Sequence, residues 1–413
     1  MSSSDQRRGA STTKWLAVIG IGEDGAAGLG DEAKRLVTEA EFVFGGRRHL
    51  ELAHDLIHGE ARSWPSPFDS SMAEVLALRG RKVAVLASGD PFLHGVGATL
   101  ARLIDPAEMA VVPAPSAFSM AASRLGWPLH EVETVSLHGK PIHLLRPLLH
   151  PGRRILALTS DGDSPAAIAK LLSGNGFGAS RVTIVEALGG PDERVVAQTA
   201  ESFAATGLNP LNVVAIEVAA SWNARILPLA TGLDDELFEH DGQITKREIR
   251  AVTLSALSPR RGELLWDIGA GSGSVSVEWM LADPSMRAIA IEAHEERAAR
   301  IGRNALACGV PALEVVNGRA PEALVGLPKP AAIFIGGGGS DPGVLELAID
   351  ALPAGGRLVA NAVTLEMEAL LLAQREKIGG DMLRLSVARA APVGTMTGWR
   401  PALPVTQWKW VKP

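Results

Sequence analysis

Residues 263–279 read ELLWDIGAGSGSVSVEW, and this stretch decides how the second half of the chain is built. Leu264–Ile268 is an apolar run of strand type, Gly269, Gly271 and Gly273 follow it, and the sequence then turns to a helix-forming pattern. Glycines at a strand-to-helix turn allow a tight bend and let a ligand approach the main chain. The helix end beyond them offers free N–H groups and a positive dipole. Nineteen residues past Gly273, the strand-like MRAIAIE ends in Glu292, placed to accept from the two hydroxyls of a ribose. The pattern points to an adenosine cofactor. The spacing is G-x-G-x-G, not the G-x-G-x-x-G of dinucleotide sites, and Asp267 precedes the first glycine by two residues. An acid there suits the ammonium and sulfonium of S-adenosylmethionine (SAM) and would repel a pyrophosphate, so SAM is favoured over NAD. A glycine turn that only packs strand on helix remains the structural alternative.

Working outward, strand and helix patterns alternate along the whole chain. Strands are expected at Lys82–Ala87, Ile155–Thr159, Val182–Glu186 and Val213–Val218 in the first half. In the second half they are expected at Glu263–Ile268, Arg287–Ile291, Leu313–Val316, Ala331–Ile335 and Gly356–Ala360. Ser164–Leu172 and Lys246–Leu257 have helical periodicity. The alternation breaks in the acidic, turn-rich ATGLDDELFEHDGQIT after Leu229. The expected organisation is a disordered polar arm over 1–13, a first domain over 14–230, a linker over 231–241 and a second domain over 242–413.

The 413 residues carry 40 Lys and Arg against 46 Asp and Glu, a net charge of −6. Residues 1–230 hold 21 bases and 24 acids, so each half carries −3. This balance excludes a nucleic-acid partner and an anionic membrane surface on electrostatic grounds. No apolar run reaches the ~18 residues of a membrane span or the form of a secretory signal. The lone Cys308 excludes an internal disulfide and points to the cytoplasm. No H-x-H or H-E-x-x-H spacing occurs, so no metal site is expected.

Several segments carry a family resemblance. ITKREIRAVTLSAL, DIGAGSGSVSVEW, IEAHEER, NGRAPEAL, IFIGGGG and LPAGGRLVANAVTLE, in that order over about residues 240–413, resemble the C15-methylating, C12-decarboxylating methyltransferases of cobalamin synthesis, which are class I Rossmann-like SAM enzymes. By that likeness Thr245, Gly269, Gly271, Gly273, Glu292 and Ala320 would line the cofactor. VIGIGEDGAAGLG, GGRRHL, VAVLASGDPFLHGVG, VVPAPSAFSMAASRLGWP, VSLHGKP, VTIVEALGGPDERVVAQT and LNVVAIE, over about 14–230, resemble the tetrapyrrole (corrin/porphyrin) methyltransferases, and most closely the C5-methylating enzymes of the same pathway. That family has a different, two-lobed SAM fold. Ser88, Gly89, Asp90, Leu93, Ser116, Ala117 and Leu188 would then touch a second SAM in the cleft between lobes. Many relatives have proline in a G-x-G-P-G loop where this chain has Glu23 and Asp24, so no substrate contact carries over to that loop. By its pattern alone, Asp90-Pro91 equally starts a helix.

The resemblance implies an α/β chain with a two-lobed tetrapyrrole-methyltransferase fold followed by a class I Rossmann-like domain. It implies SAM-dependent methylation of precorrin-6B at C5 and C15, with loss of the C12 acetate carboxyl, giving precorrin-8X. The alternatives are an NAD-dependent oxidoreductase on the second half and a non-catalytic tetrapyrrole-binding protein. A ring bearing many carboxylates needs cations in the pockets of an acidic protein. Arg47, Arg48, Lys140, Lys246 and Arg250 are the candidates, with His138 as a polar neighbour. His94 shares a motif loop and is weighed with His138, whereas His49, His54 and His58 recur at helical spacings and are expected on a solvated helix face. No catalytic acid or base is assigned. A homo-oligomer and hand-over of the ring to neighbouring pathway enzymes complete the expectations.

Overall fold

The computed structural model describes residues 14–65 and 71–413. The arm expected over 1–13 lies outside the described residues. The chain separates into two compact units, one of residues 1–142 and 151–224, the other of residues 143–150 and 225–413.

The first unit contains two sheets. β1 (Leu16–Ile21), β2 (Phe42–Gly45), β3 (Glu60–Ser63), β4 (Val83–Ser88) and β5 (Met109–Val112) form an all-parallel sheet in the order β3-β2-β4-β1-β5. Both faces are covered. Leu16 and Val18 join one apolar cluster, and Ala17, Ile19 and Ile21 join the other, as the two-residue period of a strand requires. β6 (Val132–Ser136), β7 (Arg154–Leu158), β8 (Arg181–Glu186), β9 (Arg194–Thr199) and β10 (Asn212–Glu217) form a mixed sheet, β6-β7-β10-β8-β9, in which β10 runs antiparallel to both neighbours.

The second unit is a seven-stranded sheet in the order β13-β12-β11-β14-β15-β19-β16. Its strands are β11 (Leu264–Ile268), β12 (Arg287–Glu292), β13 (Glu314–Asn317), β14 (Ala332–Ile335), β15 (Arg357–Ala362), β16 (Asp381–Leu385) and β19 (Val405–Val411). The first five are parallel, and β19 is inserted antiparallel beside β15. Between β16 and β19 the chain makes a separate hairpin of β17 (Ala388–Val393) and β18 (Met396–Pro401). Helix Ser274–Leu281 after the glycine loop is buried along nearly its whole length, and its Glu278 is matched by Arg250 of helix Arg247–Leu257.

Two segments differ from the expected domain plan. The stretch 231–241 supplies Leu233 and Phe238 to the core of the second unit. Its Gly232 and Leu233 N–H groups donate to the Glu278 carboxylate at 2.6 and 2.9 Å. Residues 143–150, expected within the first domain, belong to the second unit. Leu145 and Leu149 are fully buried, and Arg146 donates to the carbonyls of Ala307 and Arg225 at 3.0 and 2.7 Å.

Candidate active sites

A cavity of about 800 Å³ opens at the carboxyl ends of the parallel strands of the second unit. That is the place where open α/β sheets bind ligands. Its wall takes Gly269–Gly271 after β11, Glu292–His294 after β12, Gly318–Ala320 after β13, Gly336–Gly338 after β14, and Asn361 with Val363 from β15 and just beyond. Gly242–Lys246, from the segment before helix Arg247–Leu257, and Arg389 and Leu403, at the base of the hairpin, also line it.

Local geometry shapes the glycine loop. The Gly269 and Ala270 N–H groups continue the strand pairing by donating to the Ile291 carbonyl at 3.0 and 3.1 Å. Gly271 has φ +60°, and a Cβ there would lie 2.9 Å from the Gln243 carbonyl oxygen. Glu292 accepts from Gly271 N–H at 2.8 Å and from His294 N–H at 3.0 Å, so its carboxylate ties the glycine loop to the end of β12. Asp267 is fully enclosed below the loop. Its Oδ2 accepts from the N–H and hydroxyl of Ser276 at 3.1 and 2.7 Å, while Oδ1 has no partner. Burial pushes its carboxyl up to about 6 against the two Ser276 hydrogen bonds, and the Glu292 charge adds to the rise.

Of the cofactor positions expected in this half, Thr245, Gly269, Gly271, Glu292 and Ala320 line the cavity. Gly273 is off the wall: it caps helix Ser274–Leu281 and faces Ile301. Lys246 lines the cavity, with Asp235 at 3.5 Å. Arg250 is a correction. It is 0% exposed, off the cavity wall, and bonded to Glu278, Asp235 and the carbonyls of Leu233 and Thr245, so it is out of reach of a ring carboxylate. Arg297, Arg319 and Arg389 line the cavity and were not singled out. The first two lie inside the motif segments IEAHEER and NGRAPEAL, which was the available signal. Arg389 comes from a hairpin with no strand pattern. All four wall cations hold a carboxylate: Lys246 holds Asp235, Arg297 holds Asp241, Arg319 holds Asp341 and Arg389 holds Glu248. Hydrogen bonding from Arg297 keeps Asp241 well below the usual carboxylate range.

In the first unit the loops after β1, β4 and β5 meet. Ala114 N–H donates to the Gly89 carbonyl at 3.2 Å, which sets Gly89 beside Pro115 and Ser116. Ser88 closes β4 and is exposed. Asp90 accepts from Phe92 N–H at 2.8 Å, so its carboxylate shapes the turn that carries the half-exposed Leu93. Ser116 caps helix Ala117–Leu125 by accepting from Ser119 N–H at 3.1 Å. Leu188 is buried in the core of the second sheet, against which Ala117 packs. A Cβ on Gly190 of the second lobe would lie 2.8 Å from Glu23 Cβ of the first, so the lobes close tightly at the loop after β1.

Arg48 pairs with Glu23 and donates to Ser88 Oγ at 3.0 Å, whereas Arg47 is exposed. His138 lies 3.3 Å from the Thr159 carbonyl, and Lys140 is exposed in the same turn. His94 has φ +58° and sets its ring edge-on to Phe118. His54 and His58 are exposed, but His49 is not on their face: its ring is largely enclosed, with Nε2 2.8 Å from Ser88 Oγ. Helix Arg47–Leu52 ends before His54, so the helical spacing linking the three histidines is broken.

Among the described residues no His, Cys, Asp and Glu group is arranged to hold a metal ion, and no helix is long and apolar enough to cross a membrane.

Comparison with known proteins follows this geometry. The family of tetrapyrrole (corrin/porphyrin) methylases matches residues 16–204, and the precorrin methyltransferase domain family matches residues 236–412. The chain is 64% identical over 403 residues to a Sinorhizobium protein named precorrin-6Y C(5,15)-methyltransferase [decarboxylating], covering 98% of each. It is 41% identical to the Mycobacterium tuberculosis protein of that name, covering 96% of this chain and all of the relative. Over 178 residues it is 39% identical to a probable cobalt-precorrin-6B C(15)-methyltransferase (decarboxylating) of Pyrobaculum calidifontis, covering 41% of this chain and 91% of that protein. With likeness running almost end to end, the chain belongs to the precorrin-6Y C(5,15)-methyltransferase (decarboxylating) family.

Proposed function

We propose that this chain methylates precorrin-6B at C5 in its first unit and at C15 in its second, and removes the C12 acetate carboxyl in the second, giving precorrin-8X in cobalamin synthesis. The observation that carries the assignment is near-complete 64% identity to a C(5,15)-methyltransferase. The division of labour rests on the second half, which accounts for 91% of a protein named for C15 alone and so leaves C5 to the first half.

SAM, one molecule per unit, supplies an electrophilic methyl on a sulfonium. The second unit fits it. The glycine loop brings bare main chain to the cavity wall, and Glu292 on the same wall is fixed by two backbone donors as an acceptor for ribose hydroxyls. Thr245, Gly269, Gly271, Glu292 and Ala320 would hold the cofactor, and Gly273 would support the turn from behind. In the first unit Ser88, Gly89, Asp90, Leu93, Ser116 and Ala117 would do so, with Leu188 packed behind them.

Displacement at a sulfonium needs alignment and exclusion of water more than a strong base. The walls of the second cavity supply the alignment, and Val363, Val387 and Leu403 put apolar surface beside the acetate that loses CO2. Electrons released there pass into the ring's conjugated C=N system. Lys246, Arg297, Arg319 and Arg389 would exchange their own carboxylates for those of the ring, and Arg47, Arg48, His138 and Lys140 would face the ring in the first unit. Self-association, through an apolar surface such as exposed Met396 and Trp399 of β18, action in the cytoplasm, and passing of the product to the next pathway enzyme belong to the same reading.

Incubation of the full chain with precorrin-6B and SAM tests it. A product with two added methyls and one CO2 lost supports the assignment, and unchanged substrate refutes it.

A further inference from the structure

His49 is a group that the chemistry above does not use. It stands in the first turn of helix Arg47–Leu52, directly after β2, and reaches across to the end of β4. Its Nε2 is 2.8 Å from Ser88 Oγ and 3.2 Å from Nη2 of Arg48. The same Nη2 donates to Ser88 Oγ at 3.0 Å, and the other arm of Arg48 holds Glu23 after β1. Two side chains from the end of β2 therefore meet on the hydroxyl at the end of β4, and Glu23 after β1 holds one of them.

The hydrogens in this cluster follow from the chemistry of its members. A guanidinium has donors only, so an Nε2 facing it is an acceptor. The ring proton then sits on Nδ1, which is buried without a partner. The unprotonated Nε2 has one lone pair, and the Ser88 hydroxyl at 2.8 Å is nearer to it than Nη2 at 3.2 Å, so the Ser88 hydrogen goes to Nε2 while the Ser88 oxygen accepts from Arg48. What Ser88 turns outward, at an exposed strand end, is a lone pair and no hydrogen. Burial, and then the Arg48 charge, hold the imidazole down to about 4, which keeps the ring neutral and Nε2 an acceptor through the neutral range. Leaving Nδ1–H unpaired is unfavourable for folding, and such a group persists where the other side of the ring has a task.

We propose that His49 is a positioning residue for methyl transfer in the first unit: it locks the Ser88 hydroxyl as a hydrogen-bond acceptor aimed at a donor-bearing group of SAM. The inference rests on the proposed function, which puts SAM against Ser88. His49 itself acts through Ser88.

The test uses the full chain, with C5 and C15 methylation measured separately on one substrate by NMR of labelled methyls. His49→Ala and Ser88→Ala should each raise KM for SAM in C5 methylation about fivefold, the usual loss for one neutral hydrogen bond, with kcat changed less than about twofold. The double variant should be no worse than Ser88→Ala, because the two act as one unit. His49→Gln, whose Oε1 stands near the place of Nε2, should return KM to within about twofold of the parent. C15 methylation should stay unchanged in all four. Multiplying effects in the double variant, or an unchanged KM in His49→Ala, would overturn the proposal. Should His49→Ala lose C15 methylation through misfolding, Gln and Asn at this position decide: a normal KM for Gln with a raised one for Asn supports it, and equal values overturn it. A parent chain that makes no C5 product refutes the proposed function itself, whereas a normal parent with indifferent His49 variants refutes only this inference.

Discussion

Asp267 carries a shifted proton directly beneath the glycine loop. Its carboxyl is enclosed beneath the glycine loop with one oxygen unpaired, and its value of about 6 lies above the 3.8 of an unperturbed aspartate. The native state thus binds this proton more tightly than the unfolded chain does. The associated stability is complete below about pH 4 and is lost as the pH rises through 6. Asp267→Asn should therefore gain about 3 kcal/mol over the parent at pH 8 in the absence of cofactor, and about half as much at pH 5. Denaturant unfolding at the two pH values checks this, and parallel profiles for the two proteins would contradict it. Arg250 and Lys246, four residues apart, separate in the same way. Arg250 is locked between Glu278 and Asp235, so Arg250→Ala leaves a buried carboxylate uncompensated and should lower stability by about 3 kcal/mol or more. Lys246→Ala should leave the unfolding midpoint in place and raise KM for the ring about fivefold in C15 methylation. A fall in stability equal to that of Arg250→Ala would place Lys246 in the framework.

At the scale of elements, strands with strong apolar runs were legible from their letters alone. The expected Val182–Glu186 is observed as Arg181–Glu186, and Ala331–Ile335 as Ala332–Ile335. Helix Lys246–Leu257 is observed as Arg247–Leu257. The hairpin β17–β18 was not legible, because its residues are mostly exposed and carry no two-residue alternation. Arg389 was missed with it. Arg250 was misjudged for another reason: a cation in a motif helix looks the same whether it faces a ligand or a buried Glu278, and only tertiary packing tells them apart. The three histidines failed through local structure, since a helix of six residues cannot carry His54 and His58 on the face of His49. Residues 143–150 were expected within the first domain, because what fixes them, the carbonyls of Ala307 and Arg225, is far along the chain.

Across the whole molecule, two units of unlike topology stand in a chain whose halves each carry −3. An acidic protein acting on a polyanionic ring has to confine its cations. In the second unit each wall cation is paired with a carboxylate, which under the proposed function the carboxylates of the ring replace. High salt should therefore raise KM for the ring in C15 methylation with little effect on kcat, since exposed pairs and their exchange are screened. The central claim is that the two methylations use separate cofactor sites, and Gly271→Trp addresses it most directly. A side chain there meets the Gln243 carbonyl and forces a residue other than glycine to φ +60°. Mass and NMR analysis of the product made by this variant from precorrin-6B and SAM should show the C5 methyl present, the C15 methyl absent and the acetate carboxyl retained. Loss of both methylations from a variant that remains folded would contradict two separate sites.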